Sequence, residues 1–264
     1  MKKFWVLLVS VLVAVLGAAC GNQSKENTLV VGATQVPHAE ILEHVKPQLE
    51  KQGVNLEIRV FTDYVLPNKA LEEGEIDANY FQHIVWLQTT NQEKGYHLRD
   101  VARVHLEPMG AYSKKINSVD QLKNGAKVAI PNGTSEITRV LQLLEKNGLI
   151  KLNGHQREIT LKNIVENPKN LQFELLEASA LPRMINEVDL AVINTNYALQ
   201  ADLDPLKDAL FMEEKDQNPY VNVLAVKQGN ENNQAVKKLA EALTSPEVKK
   251  FIEEKYKGVV VPAF

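Results

Sequence analysis

Cysteine is almost missing from this chain: Cys20 is the only one in 264 residues. A lone thiol excludes a disulfide framework, and there is no C-x-x-C pair for redox or zinc chemistry. Long apolar runs are equally scarce, since "FWVLLVSVLVAVLGAA" over residues 4–19 has no counterpart downstream. Charge of one sign is nowhere concentrated: 30 basic and 33 acidic residues are mixed along the chain, with a net charge of −3 and no basic tract or acidic tail. Nucleic acid is therefore not the expected partner. Catalytic and phosphate-cradling signatures are absent too. There is no G-x-S-x-G, G-x-x-x-x-G-K-[ST] or H-E-x-x-H, and the first strand ends in "GATQVPH" without a dinucleotide fingerprint. The six histidines, at positions 38, 44, 83, 97, 105 and 155, occur singly, without the spacing or cysteine partners of a strong metal site. The sequence thus gives little support to an enzyme, a resident metal or a cofactor.

What is present begins with the leader. "MKK" supplies a positive start, the apolar run follows, and Cys20 comes at once after it. The run is short for a membrane span. A membrane anchor or a secretory peptide with an incidental thiol are the plain readings of such a start. A single cysteine at the cleavage point resembles instead the lipobox of bacterial lipoproteins, in which that cysteine is acylated and becomes the new N-terminus. Gly17 stands where leucine is usual, with Leu16 just before it. On this reading residues 1–19 are a signal peptide and residues 20–27 a lipidated tether, a coil of roughly 15 Å reach. Loss of Lys2 and Lys3 takes the net charge from −3 to −5. The expected location is the extracytoplasmic side of the cell membrane, held there by the lipid on Cys20, with no other cofactor.

Beyond the tether the composition, 44% hydrophobic and 24% charged, is that of a folded soluble protein. "TLVVGAT" reads as a buried strand, "HAEILEHVKPQLEKQG" as a helix with Ile41, Leu42, Val45 and Leu49 on one face, and "VNLEIRVFT" as a second strand. This β-α-β opening suggests a parallel sheet with covering helices. "RDVARVHL" and "MGAYSKK" read as strands on either side of Glu107-Pro108. "KVAIPN" with a helix from about residue 135 to 146 starts a second β-α series, "LQFELLE", "VDLAVIN" and "YVNVLAVK" add strands, and two polar helices precede "GVVVPAF". Two α/β lobes of about a hundred residues each suit this count better than one wide sheet.

Two stretches carry polar and aromatic residues at strand ends, where open α/β sheets bind ligands. "FTDYVLPNKALEEGEIDANYFQH" holds Tyr64, Tyr80, Phe81 and His83. "AIPNGTSEITRVLQLLEKNG" puts Arg139 near a helix start, a mildly unfavourable place for a cation unless an anion faces it. Pairing with Glu136 at i, i+3 is the plain alternative. Ile137, Val140, Leu141 and Leu144 share one helix face, and Arg139 points away from it with Gln142, so Arg139 is expected outside the core.

The chain resembles the methionine-binding lipoprotein (MetQ/NlpA) family that serves ABC importers, through "FTDYVLPNKAL", "DANYFQH", "HLEPMGAYS", "VAIPN", "GLIKL", "NPKNL", "DLAVINTNYAL" and "NPYVNVLAVK". The resemblance implies an α/β fold of the two-lobe periplasmic-binding-protein type, class II-like, each lobe a mixed sheet flanked by helices, with the ligand in the interlobe cleft. Lobe I would comprise residues 28–108 plus 222–264, and lobe II residues 109–221. It implies no catalysis, a monomer, an amino-acid ligand with methionine (L or D) first, and an ABC permease with its ATPase as partners. A methionine-containing dipeptide or another neutral amino acid are the alternatives within this class, with a metal-receptor or adhesin lipoprotein, then a hydrolase, outside it. Carried over by position, the pocket falls on Tyr64, Phe81 and His83 from lobe I, on Arg139 and Asn194 from lobe II, and on Asn222 beside the returning crossover. Aromatic walls would hold the thioether. Arg139 would take the α-carboxylate as a planar fork, and amide oxygens of Asn194 or Asn222 would accept from the α-ammonium.

The chain also departs from that pattern. Where the family commonly has I-P-N-D-P-T-N-x-x-R, this sequence keeps Asn132 and Arg139 but places Gly133, Thr134, Ser135 and Glu136 between them, and Thr195 stands where glycine is usual. A charge at Glu136 would weaken carboxylate binding, favour a ligand with an added amine, or lie harmlessly in solvent.

Overall fold

The computed structural model describes residues 27–264 apart from His155, and in it the chain forms two sheets. The leader (1–19), Cys20 and all of the tether except Asn27 lie outside the described residues. The first sheet has six strands in the order β13-β4-β12-β3-β1-β2. They are β1 (Thr28–Thr34), β2 (Asn55–Phe61), β3 (Ala78–His83), β4 (Leu98–Leu106), β12 (Val221–Lys227) and β13 (Val261–Pro262). The second sheet has five, in the order β11-β5-β10-β6-β9. Its members are β5 (Gly110–Tyr112), β6 (Lys127–Pro131), β9 (Gln172–Leu176), β10 (Leu190–Ile193) and β11 (Ala209–Met212), and a small hairpin of β7 (Lys151–Leu152) and β8 (Ile164–Glu166) stands beside it. The protein is a two-lobe α/β molecule. Its chain crosses between the sheets twice, from Leu106 to Gly110 and from Met212 to Val221.

The β-α-β opening gives parallel pairing of β1 with both β2 and β3. The sheet is mixed rather than parallel, because the returning strand β12 runs antiparallel to β3 and β4. Strand β3, "ANYFQH", is buried at all six positions. Its polar side chains are satisfied locally: Asn68 Nδ2 donates to Gln82 Oε1 at 2.7 Å, Asn79 Nδ2 to Asn68 Oδ1 at 2.9 Å, and Gln82 Nε2 to Asn79 Oδ1 at 2.9 Å. This amide cluster locks α2 (Leu66–Glu73) onto β3 without exposing either.

Helix spacing translates into packing where the sequence is most regular. In α1 (Glu40–Lys51), Ile41, Leu42, Val45 and Leu49 join β1 and α8 (Gln234–Leu243) in one core, with α9 (Pro246–Tyr256) closing it. Asn233 caps α8 through Ala235 N, and Ser245 caps α9 through Val248 N, ahead of Pro246 at its first position. A second core under α2 and α3 (Ile84–Lys94) covers the sheet's other face. In lobe II, α4 (Thr134–Lys146) sets Val140, Leu141 and Leu144 into the core over β6 and β10. The opposite face is covered by α5 (Leu181–Met184) and α6 (Thr195–Gln200), with the short α7 (Pro205–Asp208) following.

One expectation fails here in an informative way. Arg139 does point away from the core of its own lobe, yet it is only 3% exposed. Helix α4 is buried on its polar side as well: Glu136 meets His83 of the other lobe, and Arg139 is covered by Glu107 and Glu213 of the crossovers. Amphipathicity assigns the non-core face to water only when nothing else packs there.

Candidate functional site

A cavity lies between the lobes, within about 350 Å³ of empty space that is partly open to solvent. Residues Tyr64, Phe81, His83, Arg139, Asn194 and Asn222 all line it. They reach it from the ends of strands and the starts of helices: β3 runs into α3 at His83, β6 leads to α4, and β10 leads to Asn194 at the start of α6. Tyr64 sits in a turn held by Asp63, whose carboxylate accepts from Val65 N at 2.7 Å and Leu66 N at 2.8 Å. Trp86, Glu107 and Asn196, outside the sequence-derived set, line it too, as do Gln82 and the two departures Glu136 and Thr195.

One end of the cavity is aromatic. The Tyr64 ring lies 6.0 Å from Phe81, 5.5 Å from Trp86 in an edge contact, and 5.0 Å from Tyr197. Trp86, from lobe I, rests on Gly133, the residue that caps α4 in lobe II. A Cβ at Gly133 would lie 2.9 Å from the ring's Cη2 and nearer still to Cζ3. Only glycine admits that approach.

The other end is polar. His83 accepts from Trp86 N at its Nδ1, 2.9 Å, as the cap of α3, so its proton is on Nε2, which donates to Glu136 Oε1 at 2.6 Å. Asn194 Nδ2 donates to the other Glu136 oxygen at 2.5 Å. Glu136 is therefore not on the solvent side; it is 1% exposed and bridges the lobes. Burial alone pushes its carboxyl up, but His83, Arg139 and Asn194 together bring it down to about 2, so it is ionised. Its place in the first turn of α4 favours the same charge.

Arg139 is not paired with Glu136. Its Nε donates to Glu213 Oε1 at 2.7 Å and its Nη2 to Glu213 Oε2 at 2.5 Å and to the Glu107 carbonyl at 2.8 Å, while Tyr220 lies under the guanidinium at 4.3 Å. The fork expected to meet a ligand carboxylate is filled by Glu213, and only Nη1 is left for the cavity. Glu213 sits in the second crossover, outside any strand or helix, where no sequence pattern marks it.

At the crossovers, histidines scattered in sequence come together. Thr34 Oγ1 donates to His38 Nδ1 at 2.8 Å, and His38 Nε2 donates to Asn222 Oδ1 at 3.0 Å. Tyr80 donates to His105 Nδ1, and His105 Nε2 to Glu107 Oε1 at 2.7 Å. His38, His105 and Glu107 are close enough to share a metal ion. Both rings, however, already use both nitrogens in hydrogen bonds. Burial lowers His38 to about 4 and His105 to about 3, so both are neutral. Burial raises Glu107, against the pull of His38 and Arg139. Because Asn222 spends its oxygen on His38, it offers the cavity its Nδ2 donor, not the acceptor expected from sequence.

Three buried polar atoms of residues that line the cavity have no partner in the protein: the donors Trp86 Nε1 and Asn196 Nδ2 and the acceptor Asn194 Oδ1. Asn196 is held by Tyr64, whose hydroxyl donates to its Oδ1 at 2.6 Å across the cleft. Orphaned groups at this depth mark where a polar ligand makes its hydrogen bonds. Further bonds that close the cleft are Thr134 Oγ1 to Glu93 at 2.6 Å and Tyr197 OH to the Thr62 carbonyl at 3.2 Å.

Comparison with known proteins gives a consistent picture. The profile of the NlpA lipoprotein family matches residues 29–264. The methionine-binding lipoprotein MetQ of Bacillus subtilis is 42% identical over 271 residues, covering 99% of each chain. The D-methionine-binding lipoprotein MetQ of Salmonella typhi is 43% identical over 252 residues, covering 92% of each. A nutrient-binding protein from Burkholderia cenocepacia, solved bound to methionine, superimposes with a TM-score of 0.86 at 42% identity, covering 89% of this chain and 100% of that one.

Proposed function

The chain belongs to the NlpA lipoprotein family, and from that membership we propose that it is the substrate-binding lipoprotein of an ABC importer, taking methionine as the L or D form into the cavity between its lobes. It is a binding protein and not an enzyme. The observation that carries the ligand is the division of the cavity. Tyr64, Phe81 and Trp86 form an aromatic end suited to a thioether, and the opposite end holds unpaired donors and an unpaired acceptor for a carboxylate and an ammonium. In this reading Asn222 Nδ2, Asn196 Nδ2 and Arg139 Nη1 receive the carboxylate, and Asn194 Oδ1 with Glu136 receives the ammonium. Ligand binding shifts the lobes toward the closed arrangement, whose surface is presented to the permease. The chain is carried as a monomer on a lipid at Cys20, outside the cytoplasm. Among the described residues no helix is long and apolar enough to cross a membrane.

The test is mass spectrometry of the small molecule released when the purified protein is denatured, followed by calorimetry with the ligand-free protein. Methionine in the released fraction and saturable binding are the expected results. Trp86 is the one tryptophan of the mature chain and touches the cavity, so its emission should change with the same saturation curve. Absence of binding by every methionine form would overturn the ligand assignment.

A further inference from the structure

The polar end of the cavity does not balance in charge. Arg139 is the only lysine or arginine among the described residues that line it. Its charge is already met by Glu213, which is 9% exposed and grips it through two hydrogen bonds. His83 is committed as an Nε2–H donor to Glu136, because its Nδ1 accepts from the helix cap. Glu136 is held as an anion by direct hydrogen bonds from His83 on one oxygen and Asn194 on the other, with the Arg139 charge acting only from beyond bonding distance. Asn194, which lines the cavity, bonds Glu136 through its Nδ2, and its Oδ1 is left buried and unpartnered. A carboxylate with no cation of its own, next to an orphaned acceptor, is built to receive a positive group. An incoming α-carboxylate, by contrast, meets neutral donors and a single nitrogen of an arginine whose charge is taken.

We propose that Glu136 is the specificity-determining residue of this cleft and makes the ligand's ammonium, rather than its carboxylate, the required charge. This rests on the reading of the cleft as a site for a methionine side chain. The ligand class is thereby wider than the free amino acid: it includes α-amino amides and esters bearing that side chain, in which the carboxylate is replaced by an uncharged group. Amide and ester carbonyls still accept from Asn222 Nδ2 and Asn196 Nδ2, and they remove the repulsion between two anions in one dry cavity. An uncharged amine end, as in an N-acylated amino acid, would leave both Glu136 and Asn194 Oδ1 unanswered.

The experiment is calorimetric titration of the ligand-free full chain with methionine, methioninamide and N-acetylmethionine, repeated with Glu136→Gln and Glu136→Asn. The wild-type protein is expected to bind methioninamide no more than tenfold more weakly than methionine, and N-acetylmethionine at least a hundredfold more weakly than methioninamide. In either variant the ratio of the methioninamide to the methionine dissociation constant rises at least tenfold. A wild-type preference for methionine beyond tenfold, N-acetylmethionine binding within a hundredfold of methioninamide, or a ratio that moves less than tenfold in a folded variant would overturn the proposal. The wild-type comparison decides the matter alone if both variants fail to fold. Binding of neither methionine nor methioninamide by the wild-type protein would instead overturn the methionine reading itself.

Discussion

Gly133 offers a perturbation whose effect is confined to the closed cleft. Its backbone, at φ −72° and ψ 142°, is ordinary extended geometry that alanine adopts without strain. Within lobe II the substitution therefore changes nothing of consequence, and the added methyl meets only Trp86 of the other lobe, with Cη2 at 2.9 Å and Cζ3 closer. Carbon atoms prefer about 3.5–4.0 Å, so the indole must retreat by roughly 1 Å. Tyr64 stands edge-on behind it at 5.5 Å and leaves little room. Overpacking of this kind costs about 1–3 kcal/mol. Since it arises only on closure, Gly133→Ala should weaken methionine binding by about 5- to 150-fold, by the rule that 1.4 kcal/mol is a factor of ten. The melting temperature of the ligand-free protein should hold steady if that protein rests open. Calorimetry gives the affinity, and stopped-flow tryptophan emission should place most of the change in the dissociation rate. Trimming the indole with Trp86→Phe should make the alanine harmless, so a double-mutant cycle would report a coupling of the same size as the single loss. Binding by Gly133→Ala within twofold of wild type would refute the argument, as would equal losses in the presence and absence of Trp86.

Other consequences can be checked as directly. Arg139→Ala leaves Glu213 buried with Met109 N–H as its main remaining donor, so it should lower the unfolding free energy by about 3–5 kcal/mol in urea titration. The paired change to Arg139→Met with Glu213→Leu should recover much of that, and equal stability of Arg139→Ala and wild type would contradict the bidentate geometry. His38 and His105 have folded pKa values of about 4 and 3, below the ordinary 6.5. The unfolded chain therefore binds protons that the folded one refuses, and stability is full above about pH 6.5 and falls as the pH drops toward 4 and 3. Each histidine contributes a slope of about 1.4 kcal/mol per pH unit, up to about 4 kcal/mol for both between pH 7 and 5. Glu107, raised by burial, works the other way and trims the fall. Urea midpoints across this range should flatten when both histidines are replaced by glutamine.

The sequence and the structure agree best where a single lobe determines the outcome. The spacing of Ile41, Leu42, Val45 and Leu49 depends only on one sheet and its helices, as does the strand "VNLEIRVFT", whose alternation holds at Leu56 and Ile58 but leaves Val60 exposed. Legibility fails where two lobes meet. Arg139 and Glu136 lie on a helix face that any one-lobe pattern gives to solvent, and the crossovers and the other lobe bury it. Glu213 belongs to an irregular crossover whose role exists only because Arg139 arrives from 74 residues away. The histidines were individually unremarkable because residues 38 and 105 meet only after β4, β12 and β3 are laid side by side. A fully buried strand such as β3 has no alternation to betray its faces.

The two crossovers have a mechanical meaning as well. Glu107 lies on one and Asn222 begins the strand that ends the other, and His38 stands between them, 3.0 Å from Asn222 and 3.3 Å from Glu107. That pinned pair is an axle. Should the lobes open about these crossovers, points on the axle would hardly travel, whereas Trp86 and Gly133, out on the arms, would sweep the full arc. The first grip on a molecule drifting into the open jaws thus belongs to groups that are already in their final places, and holding time is set at the rim.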